Sequence, residues 1–158
     1  MQITNQKSKI LIVGYGNPYR QDDSIGHMIA RAVKKWAEDE KKEFLNVITS
    51  YQLELEMVED VAAHERVFFI DAHTADYSED LVFEKVEPKE SKGFTTHVFG
   101  PGDLAALSKK FYNKIPEIFI LSVPGYKFDM GEDLSEQTKQ LSEKAIDLLK
   151  KKLLETGN

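Results

Sequence analysis

Cysteine is absent from the 158 residues. That excludes disulfides, thiolate-bound zinc, iron–sulfur clusters and a cysteine nucleophile, and leaves oxygen and imidazole as the available chemistry. Positive charge is in deficit. Lys and Arg number 21 against 27 Asp and Glu, a net charge of −6 with a pI near 5.3, which argues against affinity for nucleic-acid backbones or anionic lipid. Long hydrophobic runs are also missing: no segment approaches the ~20 apolar residues of a membrane span, and the polar stretch 1–8 lacks the apolar core of a signal peptide. No nucleic-acid or membrane partner is expected, and the expected compartment is the cytoplasm. Linkers, low-complexity tracts and repeats are lacking as well, so residues 1–158 are expected to form a single domain.

What is present alternates between strand and helix signals. Lys9–Val13 carries consecutive Ile, Leu, Ile and Val, the mark of a strand buried on both faces, and Gly14-Tyr15-Gly16-Asn17-Pro18 ends it in a turn. From Ser24 to Glu38, Ile25, Ile29, Ala32, Val33 and Trp36 recur at helical spacing. Phe44–Thr49 reads as a strand, Glu54–Ala63 as a helix, and Val67–Ile70 as a second fully buried strand ending at Asp71. Leu81–Val86 reads as an edge strand suited to antiparallel pairing, followed by a polar loop from Glu87 through Thr96. Asp103–Phe111 is expected to be helical with Leu104, Leu107 and Phe111 inward, Glu117–Val123 a strand, and Ser135–Glu155 a long amphipathic helix. Asp133 and Glu136 stand in capping-box positions before it. This order predicts a three-layer α/β/α sandwich around a mostly parallel sheet.

Ligands in such folds bind beyond the carboxyl ends of the parallel strands, so chemistry is sought there. The first loop fails the dinucleotide fingerprint. Tyr19 stands where the third glycine is needed, and strand two ends in Thr49-Ser50 without an acidic residue. A phosphate loop, a GxSxG elbow and an HExxH zinc motif are all absent. The residues left at the strand ends are Asn17, Asp22, Asp23, Asp71, His73 and His97. Two carboxylates and an imidazole from separate loops suit a borderline divalent metal, nickel or zinc, with positions open for substrate or water. Each has a plainer explanation. Asp23 or Asp22 can cap the first helix, and His97 can be a loop imidazole bonded to backbone. His27 and His64 are read as surface or capping residues. Asp71, after four apolar residues, is costly to place unless paired or ligated.

Gly14-x-Gly16-Asn17, Asp22-Asp23-x-Ile25-Gly26, Ile70-Asp71-Ala72, Thr96-His97 and Gly131-x-x-Leu134-Ser135 together resemble, in order and spacing, the nickel-dependent hydrogenase maturation endopeptidases. The resemblance covers about Ile10 to Leu149. It implies a phosphorylase/hydrolase-like five-stranded mixed sheet between helices with one antiparallel strand. It also implies removal of a C-terminal extension from the large-subunit precursor of nickel–iron hydrogenase after nickel insertion. The metal-facing and catalytic residues then map onto Asp23, Asp71 and His97, the nickel being carried by the precursor. Asn17, Gln52 and His73 are substrate-binding candidates and the protein is expected to be a monomer. Thr49-Ser50-Tyr51-Gln52-Leu53 departs from the acidic, glycine-threonine turn of many members and is similar to a subset with a Gln-Leu pair; His73 is also unusual. Two other functions fit the same residues: a metal-sensing assembly chaperone that does not cut, and a metal-assisted hydrolase of small amides.

Overall fold

The computed structural model of the chain describes residues 9–89 and 100–155. Five strands, β1 (Ile10–Tyr15), β2 (Leu45–Ser50), β3 (Arg66–Thr74), β4 (Val82–Val86) and β5 (Glu117–Gly125), form one sheet in the order β2-β1-β3-β5-β4. All neighbours run parallel except β4, which pairs antiparallel with β5 at the edge. Among the described residues four α-helices accompany them: α1 (Ile25–Asp39), α2 (Met57–Ala62), α3 (Pro101–Tyr112) and α4 (Glu136–Leu154).

The consecutive apolar residues of β1 and β3 are explained by burial on both faces. Ile10 and Ile12 of β1, with Phe68 and Ile70 of β3, pack under Ile25, Ile29 and Val33 of α1 and Leu149 and Leu153 of α4. Leu11 and Val13, with Val67 and Phe69, face the other way, onto Met57, Val58 and Val61 of α2 and Leu104 of α3. The expected three-layer α/β/α sandwich with its antiparallel edge strand is therefore the observed one. Among the described residues no helix is long and apolar enough to cross a membrane.

Several boundaries differ from the sequence expectation. Strands β3 and β5 remain paired out to Thr74 and Gly125, so Asp71 and His73 lie within β3 and not beyond it. Backbone pairing to β5 carries the strand onward after its apolar run ends. Helix α2 begins only at Met57. The last helix is capped by Ser135, whose hydroxyl accepts the Thr138 N–H at 3.2 Å, and not by Asp133; Ser135 has the extended backbone an N-cap requires. Phe111 is 59% exposed. Leu104 and Leu107 do face inward, with Ala105 and Ser108 buried beside them, and the helix closes at Asn113 in the left-handed conformation.

Candidate active site

The site is built where β1 hands over to α1. Gly14 on the strand and Gly26 on the helix face each other: a Cβ on Gly14 would overlap the Gly26 carbonyl, and one on Gly26 would lie 2.5 Å from the Ile70 carbonyl oxygen and 2.7 Å from that of Tyr15. Only the missing side chains let the start of α1 rest directly on the backbone ends of β1 and β3. The connecting loop turns back through Gly16 at φ +136°, passing so close to the Asp23 carbonyl that a side chain would not fit. A 3₁₀ turn, Gln21–Ser24, then delivers the two aspartates.

Asp23 folds toward the loop, where its Oδ2 accepts the Asn17 N–H at 2.8 Å. Asp71 approaches from β3, half-buried, with Oδ1 accepting the N–H of Ala72 at 2.7 Å. The two carboxylates are close enough for the charge of Asp23 to act on Asp71. Burial, reinforced by that charge, pushes Asp71 up to about 7 against the opposing pull of the Ala72 N–H and the Tyr15 hydroxyl. Asp71 therefore exchanges its proton near neutral pH.

Tyr15 is a member of the site that sequence inspection missed. Gly14 pairs with Ile70 in register, so Tyr15 stands beside Asp71 on adjacent strands. Its hydroxyl hydrogen-bonds the Asp71 carboxylate, and its ring meets Phe69 edge-on at 6.4 Å. Burial, followed by the charges of Asp71 and Asp23, holds the phenol well above its ordinary range. It remains a donor. The signal was available: both residues end apolar runs of neighbouring parallel strands.

The other candidates are distributed as follows. Asn17 donates from Nδ2 to the Tyr51 hydroxyl at 2.6 Å and accepts the Tyr19 N–H on Oδ1, which ties the loops after β1 and β2 together. Gln52 is exposed in the loop after β2. His73 has both ring nitrogens engaged, Nδ1 at 2.7 Å from Ser122 Oγ and Nε2 at 3.0 Å from the Ser78 carbonyl. His97 lies outside the described residues. Among the described residues no three His, Asp or Glu side chains gather in an arrangement able to hold a metal ion; Asp23 and Asp71 bring two oxygen donors together.

Neither aspartate caps α1, whose N-cap is Ser24. Asp22 is fully buried, with hydrogen bonds from Tyr126, Lys127 and Ser135. Burial raises its carboxyl, but these donors outweigh it and hold it below the ordinary value. His27 is buried, not on the surface, with Nε2 2.8 Å from the Gly16 carbonyl; it braces the same loop from α1. His64 bonds the Asp60 carbonyl at the end of α2 and Asn46 on β2.

No protein-family model matches the sequence, and no curated protein matches it. Solved structures do match. The hydrogenase maturating endopeptidase HybD from E. coli is 17% identical, with 94% of each chain covered and a TM-score of 0.73. A nickel–iron hydrogenase maturation protease HycI from Thermococcus kodakarensis KOD1 is 20% identical over 94% of each chain, with a TM-score of 0.71. A hydrogenase 2 maturation peptidase from Thaumarchaeota archaeon SCGC_AB-539-E09 is 17% identical, covering 92% of this chain and 98% of its own, with a TM-score of 0.67. From end to end of its sheet, this chain has the fold of the hydrogenase maturation endopeptidases.

Proposed function

We propose that the protein is an endopeptidase that removes the C-terminal extension of a nickel–iron hydrogenase large-subunit precursor once nickel has been inserted, acting as a monomer in the cytoplasm. The observation that carries this reading is the convergence of Asp23 and Asp71, from separate elements, at the carboxyl ends of the parallel strands. The shared fold supports it.

The donor set suits the metal. Two carboxylate oxygens, with the imidazole of His97 as third donor, match a borderline cation and leave it open positions. Because the nickel arrives with the substrate, these residues recognise loaded precursor and so place the scissile peptide against the rim. Asn17, Gln52 and His73 are the candidates to bind the precursor peptide. Where the nickel leaves Asp71 uncoordinated, its carboxyl, near 7, takes the proton of an attacking water as general base when ionised and returns it to the leaving amine. Tyr15 holds that carboxyl in one orientation by its hydrogen bond.

The experiment is incubation with nickel-loaded and nickel-free precursor, followed by intact-mass measurement of the large subunit. Shortening of the loaded form alone is expected. An unshortened loaded precursor would overturn the protease reading in favour of a chaperone.

A further inference from the structure

We infer that Asp22 is a positioning residue of this site: by gathering the β5–α4 loop and the first residue before α4 onto its carboxylate, it sets the place of its neighbour Asp23. The inference rests on the reading of Asp23 as a site residue. Asp22 is 0% exposed, and the partners of its carboxylate are neutral donors from residues more than a hundred positions away. Oδ2 accepts the N–H groups of Tyr126 at 2.7 Å and Lys127 at 2.9 Å and the hydroxyl of Ser135 at 2.7 Å; Oδ1 accepts the Ser135 N–H at 2.8 Å. A buried carboxylate is tolerated only when its lone pairs are met in this way.

Backbone ties run alongside. The Asp22 N–H donates to the Lys127 carbonyl at 2.9 Å, the Gln21 N–H to Gly131 at 2.8 Å, and the Gly131 N–H back to Tyr19 at 2.8 Å. Gln21 Oε1 accepts the Asp129 N–H at 3.1 Å, and Arg20 Nε donates to the Phe128 carbonyl at 3.0 Å.

The segment's own ties are local: the Arg20 N–H donates to the Asn17 carbonyl at 3.2 Å and the Asp23 N–H to the Arg20 carbonyl at 3.0 Å. Gln21 sits at φ 48°, an uncommon conformation for a side-chain-bearing residue. Ser24 makes no side-chain cap to α1; its hydroxyl donates to the Gln21 carbonyl at 2.7 Å. Successive residues of a 3₁₀ turn point about a third of a turn apart, so fixing Asp22 against the β5–α4 loop fixes the direction of Asp23. Asp23 then reaches the Asn17 N–H at 2.8 Å and stands beside Asp71. The adjacent acids divide the labour: Asp22 orients and Asp23 faces the rim.

The Asn17 amide reports the position of Asp23 independently of cleavage. In Asp22→Asn, which keeps the shape and removes one acceptor and the charge, we expect Asn17 amide hydrogen exchange to accelerate about tenfold beyond any change at the core amides of Ile12 and Phe69. With nickel-loaded precursor, kcat is expected to fall about a hundredfold and KM to stay within about threefold, since misplacement by an ångström costs on that order. Ser135→Gly, which retains the backbone donor and a residue tolerated at an N-cap, should show the same pattern at smaller amplitude and decides the matter should Asp22→Asn not fold. Exchange at Asn17 that changes only by the factor seen in the core would reduce Asp22 to a stabilising residue and overturn the inference. Should the wild type cut no precursor, the protease reading fails while the exchange result still stands or falls alone.

Discussion

Replacing Asp71 by asparagine should stabilise the protein, and increasingly so as pH rises. The carboxyl goes from an ordinary value of 3.8 to about 7 on folding, chiefly through burial. A group whose folded pKa is raised leaves full stability below the unfolded pKa and takes it away as pH climbs through the folded one. For Asp71 the window is therefore from 3.8 to about 7. At about 1.4 kcal/mol per pKa unit, the complete penalty is on the order of 4 kcal/mol above pH 7. Asparagine fills the same space, keeps an acceptor for the Ala72 N–H and carries no charge to desolvate. Urea unfolding of the two proteins at pH 4 and pH 8 separates this from all other titrations, which the pair share. The stability difference should swing toward the variant by about 4 kcal/mol between the two pH values. An equal difference at both, or a swing toward the wild type, would refute the claim that Asp71 is held in a site unfavourable to its charge.

Gly26→Ala should destabilise the protein by at least about 2 kcal/mol by urea unfolding, because the new methyl meets the backbone carbonyls of Ile70 and Tyr15 and neither can move without its strand; a change under about 0.5 kcal/mol would contradict the close approach of α1. Tyr15→Phe keeps the edge contact with Phe69 but removes the donor to Asp71, so the Asp71 carboxyl should titrate higher still, followed by carbon-13 NMR of the carboxyl. Asp23→Asn removes the neighbouring negative charge and should move the same resonance's midpoint the opposite way. Shifts of equal sign in both variants would contradict the assigned geometry.

The layers were legible because the physics that sets them is local in sequence. Four consecutive apolar residues in β1 and again in β3 can only be accommodated between two helical layers, and the alternating, partly exposed β4 fits an edge. Strand ends were less legible, since the pairing of β3 with β5 past Asp71 depends on a neighbour about fifty residues away. Asp23 and Asp71 could be found from their place after apolar strands. Tyr15 also ends an apolar strand, but its partnership with Asp71 follows only from strand register, and the role of Asp22 only from partners 104 to 113 residues away. The glycine pair Gly14 and Gly26 was visible as a motif, but its reason, backbone-to-backbone contact between strand and helix, needed the fold.

The proposed joint action of Asp23 and Asp71 on a nickel-loaded precursor is read out by intact mass spectrometry of that precursor. Incubated with the wild-type protein, the large subunit should lose the mass of its C-terminal extension; with Asp23→Asn or Asp71→Asn, both folded by circular dichroism, it should keep it. Equal shortening by the wild type and both variants would contradict the account.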